Sequence, residues 1–243
     1  MKKSVLFIVL ILIVSTTTTY AGFFQDLFKS FGSGKQTNEL GNDKIASGLK
    51  EALSIGTENA VKNVSKVDGY FGNKAIKILV PEKVRLVTDI LSTVGYQKQV
   101  DDFVLSMNRS AEKAAPEALA IFVEAIKGMT FADAKKILDG GDTAATDFFK
   151  DKTQGKIYNA FKPIVETSMD EVGVMRSYKE MMDTYKILPF AQTVIKEESV
   201  DINHYVTTKA VDGLFYVVGQ EEKKIRTDPA ARITDLLKTV FGK

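Results

Sequence analysis

The spacing of apolar residues constrains this chain most: from about residue 43 onward they recur every three to four positions. Val84, Val87, Leu91 and Val94 make one stripe, and Val100, Phe103, Met107 and Ala111 make the next. Leu119, Phe122, Ala125 and Ile126 follow, then Ile157, Phe161, Ile164 and Val165. On an α-helix each set falls on one face; on a strand it would be divided between two faces, half of it in water. No stretch shows the sustained alternation that a half-buried strand needs. The pattern predicts an all-α fold. With no repeat of fixed period, it predicts an irregular multi-helix bundle rather than a solenoid.

Start and stop signals divide the pattern. Asn42 or Asp43 can cap a first helix carrying Ile45, Leu49, Leu53, Ala60 and Val64, before an aromatic loop at Asp68 to Asn73. Pro81 suits a first helical position, and Gly95 closes the stripe that follows. Pro116 starts another helix, and Thr130 caps a short one with Asp133 at its third position. Thr153 is expected to cap a helix that kinks or breaks at Pro163, where a backbone donor is missing. Met175, Tyr178, Met182 and Tyr185 form a stripe stopped at Leu188-Pro189, and an irregular segment is expected up to Val200. Asp201 caps a long helix through Val206, Ala210 and Leu214 toward Ile225, and Asp228-Pro229 opens the last one.

The N-terminus follows a different logic. Lys2-Lys3, an apolar run from Val5 to Val14, and Thr19-Tyr20-Ala21 have the layout of a secretory signal, with cleavage expected after Ala21. The apolar run is shorter than the roughly 20 residues a membrane span requires. Residues 22–41 then read as a short aromatic leader, with Phe23, Phe24, Leu27, Phe28 and Phe31 on one helical face, and a polar linker. The leader could dock on its own domain, on a partner groove or on a membrane surface. The helical domain is expected to occupy residues 42–243. The resulting compartment is the periplasm or the exterior, which the absence of cysteine suits.

Charge narrows the partners. The formal net charge is +2, but Lys2 and Lys3 leave with the signal, so 31 basic residues then face 31 acidic ones. Without a basic excess or a basic run, nucleic-acid binding is disfavoured. Glu221-Glu222-Lys223-Lys224 reads as a solvated face of mixed sign. An apolar share of 44% describes a globular chain.

The least ordinary local chemistry lies in mid-chain. Ile137 and Leu138 close one helical pattern, Gly140-Gly141 supplies a stop with a glycine expected at positive φ, and Asp142 or Thr143 can cap the next helix. Phe148 and Phe149 should face the core. Exposed N–H groups at that helix start could hold an anion, with Asp147 nearby, although any tight helix–turn–helix needs the same parts. Arg226 and Arg232 are the basic residues nominated to pair with the carboxylates of this turn.

Catalytic signatures are missing. A single histidine, His204, and no cysteine exclude a Cys–His pair and multi-histidine metal sites. No nucleophile elbow or phosphate loop is present. Carboxylate chemistry has Asp101, Asp102, Asp142, Asp147 and Asp212 to draw on, although acids also cap and decorate helices. No cofactor and no metal is expected, and His204 should sit on the surface in the first turn of its helix.

Several phrases together carry a resemblance. They are Ile45 to Leu53 (IASGLKEAL), Ala114-Ala115-Pro116, Gly140 to Thr146 (GGDTAAT), Asp212-Gly213-Leu214-Phe215 and Glu221 to Arg226 (EEKKIR). In these the chain resembles the bacterial domain-of-unknown-function family 4197 from about Asp43 to Phe241. The resemblance implies an exported helical protein and assigns no site residue. Some relatives look like lipoproteins, whereas this chain lacks an anchor cysteine. The resulting expectation is a non-catalytic protein that binds a ligand or partner, such as a hydrophobic small molecule, an envelope protein or a membrane surface. The alternatives are a carboxylate hydrolase using Asp142, Asp147 and Asp212, or a carrier of lipid or another hydrophobic ligand.

Overall fold

The computed structural model describes residues 40–171, 174–187, 200–231 and 238. Residues 1–39, read above as a signal sequence, an aromatic leader and most of its linker, lie outside the described residues, as do the segment before Val200 and Arg232. So do Ile233, Leu236, Leu237 and Val240. Leu40 and Gly41, assigned above to the linker, belong to the first helix.

The described residues fold as an all-α bundle, with no strand among them. Helix α1 spans Leu40–Ser65, α2 Glu82–Leu91 and α3 Gln97–Ala114. A 3-10 turn at Ala115–Glu117 leads into α4, Ala118–Lys127, and α5 covers Phe131–Leu138. Helix α6 is Ala144–Glu171, α7 is Val174–Ile187 and α8 is Ile202–Thr227. A 3-10 turn at Pro229–Ala231 follows.

The core lies where α6 and α8 pack together, with α3 and α4 against α6 and α1 against α8, α4 and α5. Phe122 of α4 meets Phe149 of α6 at 5.1 Å and Phe215 of α8 at 6.0 Å between ring centroids, both edge-on. All three rings are fully buried, and edge-on pairs gain electrostatic attraction beyond the area they bury. Phe148, expected beside Phe149 in the core, is only half-buried. Ile45, placed on the inner stripe of α1, is 37% exposed, whereas Leu49, Leu53, Ala60 and Val64 are buried.

Local signals placed several boundaries correctly. Thr130 Oγ1 accepts from Asp133 N–H, and the Asp133 carboxylate takes the Thr130 N–H in return, which closes a capping box. Asp201 caps α8 through His204 N–H at 2.9 Å. Gly95, at φ +101°, turns the chain from α2 to α3 through a short π-helical segment at Ser92–Tyr96. Other boundaries moved. Helix α1 starts at Leu40, so Asn42 and Asp43 fall inside its first turn. Thr153 lies inside α6 and caps nothing; its hydroxyl donates back to Phe149 O at 2.6 Å, the i−4 bond that lets threonine sit in a helix interior. No break occurs at Pro163, which is carried within the helix. One missing N–H in a 28-residue helix packed against α8 and α3 is outweighed by that packing.

Candidate functional site

The turn between α5 and α6 is where the sequence placed exposed helix-start donors. The structure fills them from within the chain. Glu222, on α8, points its carboxylate at the α6 N-terminus, accepting from Ala145 N–H at 2.9 Å and Thr146 N–H at 2.8 Å. It also accepts from the Thr146 hydroxyl at 2.8 Å. A carboxylate suits this place because the first N–H groups of a helix have no partner inside it and carry the positive end of its dipole. The anion at this helix start is the chain's own Glu222 carboxylate.

Arg226 locks the arrangement. Its guanidinium bonds Glu222 Oε1 at 2.9 Å and donates to Ile137 O, at the end of α5, also at 2.9 Å. One arginine therefore joins the end of α5, the start of α6 and the body of α8. The sequence nominated Arg226 as a pin for this turn but gave it Asp142 and Asp147 as partners; the carboxylate it holds is Glu222. Asp142 is exposed, and none of the described hydrogen bonds reaches it. Asp147 is exposed and accepts from the Thr143 hydroxyl at 3.0 Å.

The predicted positive φ is also absent, since neither Gly140 nor Gly141 adopts it. Gly140 is required for a different reason. A Cβ there would stand 2.5 Å from Ala144 Cβ and 2.9 Å from Lys136 O, so the turn closes too tightly for any side chain.

Glu221 and Glu222 are both buried, which overturns the reading of 221–224 as a solvated face. Glu222 is neutralised by Arg226, and Glu221 pairs with Lys224. Burial of a carboxylate on this scale needs such partners.

A second clamp has the same parts. Glu112 of α3 is buried, and its Oε1 accepts from the N–H groups of Tyr70 at 3.0 Å and Phe71 at 3.2 Å. Arg109 bonds the other oxygen at 2.6 Å and reaches Asp68 at 2.8 Å. Between these contacts the loop at 68–73 is pinned to α3, with Asp68 held at φ +63°. Burial, and next the Glu112 charge, push the Tyr70 phenol well above its ordinary range, so it stays protonated and donates to Ala210 O at 2.6 Å. Gly213 makes room for that ring: a Cβ there would lie 2.7 Å from Tyr70 Cε1.

With the loop pinned, a trough opens between residues 66–79 and one face of α8. Two concavities, of about 570 and 370 Å³, share Tyr216. Along α8 the lining residues Tyr205, Lys209, Asp212, Tyr216, Gln220 and Lys224 recur every three or four positions, a single helical stripe. The opposite wall carries Lys66, Asp68, Lys74, Lys77 and Leu79. No local pattern pointed to this surface, because the loop forming its far wall is about 140 residues away in sequence.

The nominated acids do not converge. Asp212 lines the trough, ten residues and about 15 Å of helix rise from Glu222 and the turn that bears Asp142 and Asp147. Asp101 and Asp102 decorate the exposed side of α3, bonded to Gln97 and Lys98. His204 is exposed in the first turn of α8, with Nδ1 2.7 Å from the Tyr158 hydroxyl. No group of three metal-binding side chains occurs among the described residues.

Comparison with known proteins gives one match. A family described as a protein of unknown function, DUF4197, matches residues 39–242. No curated protein and no solved structure matches the chain. Because the match spans nearly the whole sequence, the chain belongs to the DUF4197 family.

Proposed function

We propose that the chain is exported, cleaved after Ala21, and acts in the periplasm or outside the cell as a non-catalytic binding protein. Its binding surface in this reading is the trough along α8. The carrying observation is the charge of that surface. Five lysines and three carboxylates line it; Asp68 is held by Arg109 and Glu221 takes one of the five, Lys224, which leaves four lysines against Asp212. Lys66 and Lys74 have no ion pair among the described residues. Tyr216 stands 47% exposed where the two concavities meet, an amphipathic ring placed for contact.

A hydrolase built from Asp142, Asp147 and Asp212 finds less support, since catalysis needs those groups around one reacting atom. An interior lipid site finds less as well. The apolar cavity beneath Glu222 and Arg226 measures about 20 Å³, room for one water and not for an acyl chain.

Native mass spectrometry of the protein purified from its own host tests both halves. The expected result is a chain beginning at Gly22 that retains a non-covalent adduct, which the Lys66→Glu/Lys74→Glu variant does not retain. A mature chain beginning at Met1 overturns export. An adduct equally retained by the variant, or none at all, overturns the trough.

A further inference from the structure

We infer that the trough takes an acidic polypeptide segment lying extended along α8; this rests on the reading of the trough as the binding surface. Three observations fix the class. The first is length. From Tyr205 to Lys224 the stripe runs nineteen residues along α8, about 28 Å of rise, which matches eight or nine residues of extended chain at about 3.3 Å each.

The second is how the cations are distributed. Lys209 stands on the helix with Lys66, Lys74 and Lys77 on the facing wall, while Lys224, fifteen residues and roughly 22 Å further along α8, is already paired with Glu221. A single phosphate or small carboxylate needs donors converging on one point. Spaced cations suit anions repeated along a chain, as glutamate or aspartate at alternate positions would be. Lys77 also lies 3.9 Å from the Phe71 ring centroid and Lys209, on α8, 5.9 Å from that of Tyr205, contacts that steady both lysines.

The third is shape. The surface is concave, with the loop wall on one side of α8, a form that a narrow extended chain can follow. Tyr216 at mid-trough and Leu79, 59% exposed at one end, give apolar contact to side chains between the acids. Charge supplies steering and register, and these two residues supply burial.

Fluorescence anisotropy on the mature protein tests this with a labelled nonapeptide of alternating glutamate and leucine, and with its glutamine analogue. The glutamate peptide should bind at least tenfold tighter than the glutamine one, and at least fivefold more weakly in 300 mM than in 50 mM salt. Lys66→Glu/Lys74→Glu should lose tenfold or more, and Lys136→Glu/Lys150→Glu, outside the trough, should lose nothing. All four lysines are exposed, and matching melting curves establish that each variant is folded. Should the first variant melt early, Lys66→Gln/Lys74→Gln carries the same comparison.

Equal affinity for the two peptides overturns the inference. So does binding to phosphatidylglycerol vesicles that outcompetes the peptide and depends on the same lysines. If the peptide fails while the native adduct persists and requires Lys66 and Lys74, the acidic-peptide class falls and the trough stands. If both fail, both fall.

Discussion

The two glutamate clamps use the same parts and differ in what they hold. Glu112 gathers two N–H groups of an irregular loop, and Glu222 gathers two N–H groups and a hydroxyl at the start of a 28-residue helix. Their arginines differ more. Arg109 is 32% exposed and shares itself with Asp68, which is 56% exposed, so water can replace part of what Glu112 gives it. Arg226 is 14% exposed beside a Glu222 side chain that is 6% exposed, and it also bonds the last turn of α5. A buried ion pair contributes modestly as a whole, yet removing one member strands the other. The cost of breaking a clamp therefore depends on how far its arginine lies from water.

The largest expected effect is therefore Glu222→Ala. Loss of the carboxylate strands two helix-start donors and the Thr146 hydroxyl and takes from Arg226 its pairing with Glu222, and should cost about 3–5 kcal/mol in urea unfolding. A cost below 1 kcal/mol would mean that water reaches the α6 N-terminus. Glu112→Ala should cost about 2 kcal/mol, because Arg109 keeps Asp68 and solvent. If that loss equals or exceeds the first, arginine exposure is not what separates the clamps. Thr146→Ala sharpens the comparison by removing one of Glu222's donors, at about 1 kcal/mol in the same titration.

The smallest effect should come from Asp142→Ala, less than about 0.5 kcal/mol, as for an exposed residue away from packing and caps. A loss of 1–2 kcal/mol there, by the same unfolding curves, would restore Asp142 as a helix cap.

What was legible in the sequence was what a residue decides with neighbours three or four positions away. Thr130 with Asp133, Asp201 with His204 N–H, and Val84, Val87 and Leu91 are all of this kind and were placed correctly, whereas Val94, the fourth member of that stripe, is 50% exposed. What was not legible depends on separation. Glu222 meets Thr146 across 76 residues, and Glu112 meets Tyr70 across 42. No local pattern distinguishes a glutamate buried by such a contact from one in water. The signal available was an arginine one helical turn from each glutamate, at 109 with 112 and at 226 with 222, although exposed pairs share that spacing. Thr153 was misread because a hydroxyl can satisfy a helix start or its own i−4 carbonyl, and only packing on α6 chooses between them. The trough was invisible for the reason the clamps were: it exists only once residues 66–79 are fastened against α8.

That the α6 N-terminus is filled by the chain's own Glu222, through a pair shielded from water, is tested most directly by two double-mutant cycles run side by side. One pairs Glu222→Ala with Arg226→Ala, the other Glu112→Ala with Arg109→Ala, each by urea unfolding. The expected coupling is about 2 kcal/mol or more for Glu222 with Arg226, and clearly less for Glu112 with Arg109. Additive losses in the first cycle, within about 0.5 kcal/mol, or a larger coupling in the second, would contradict the account.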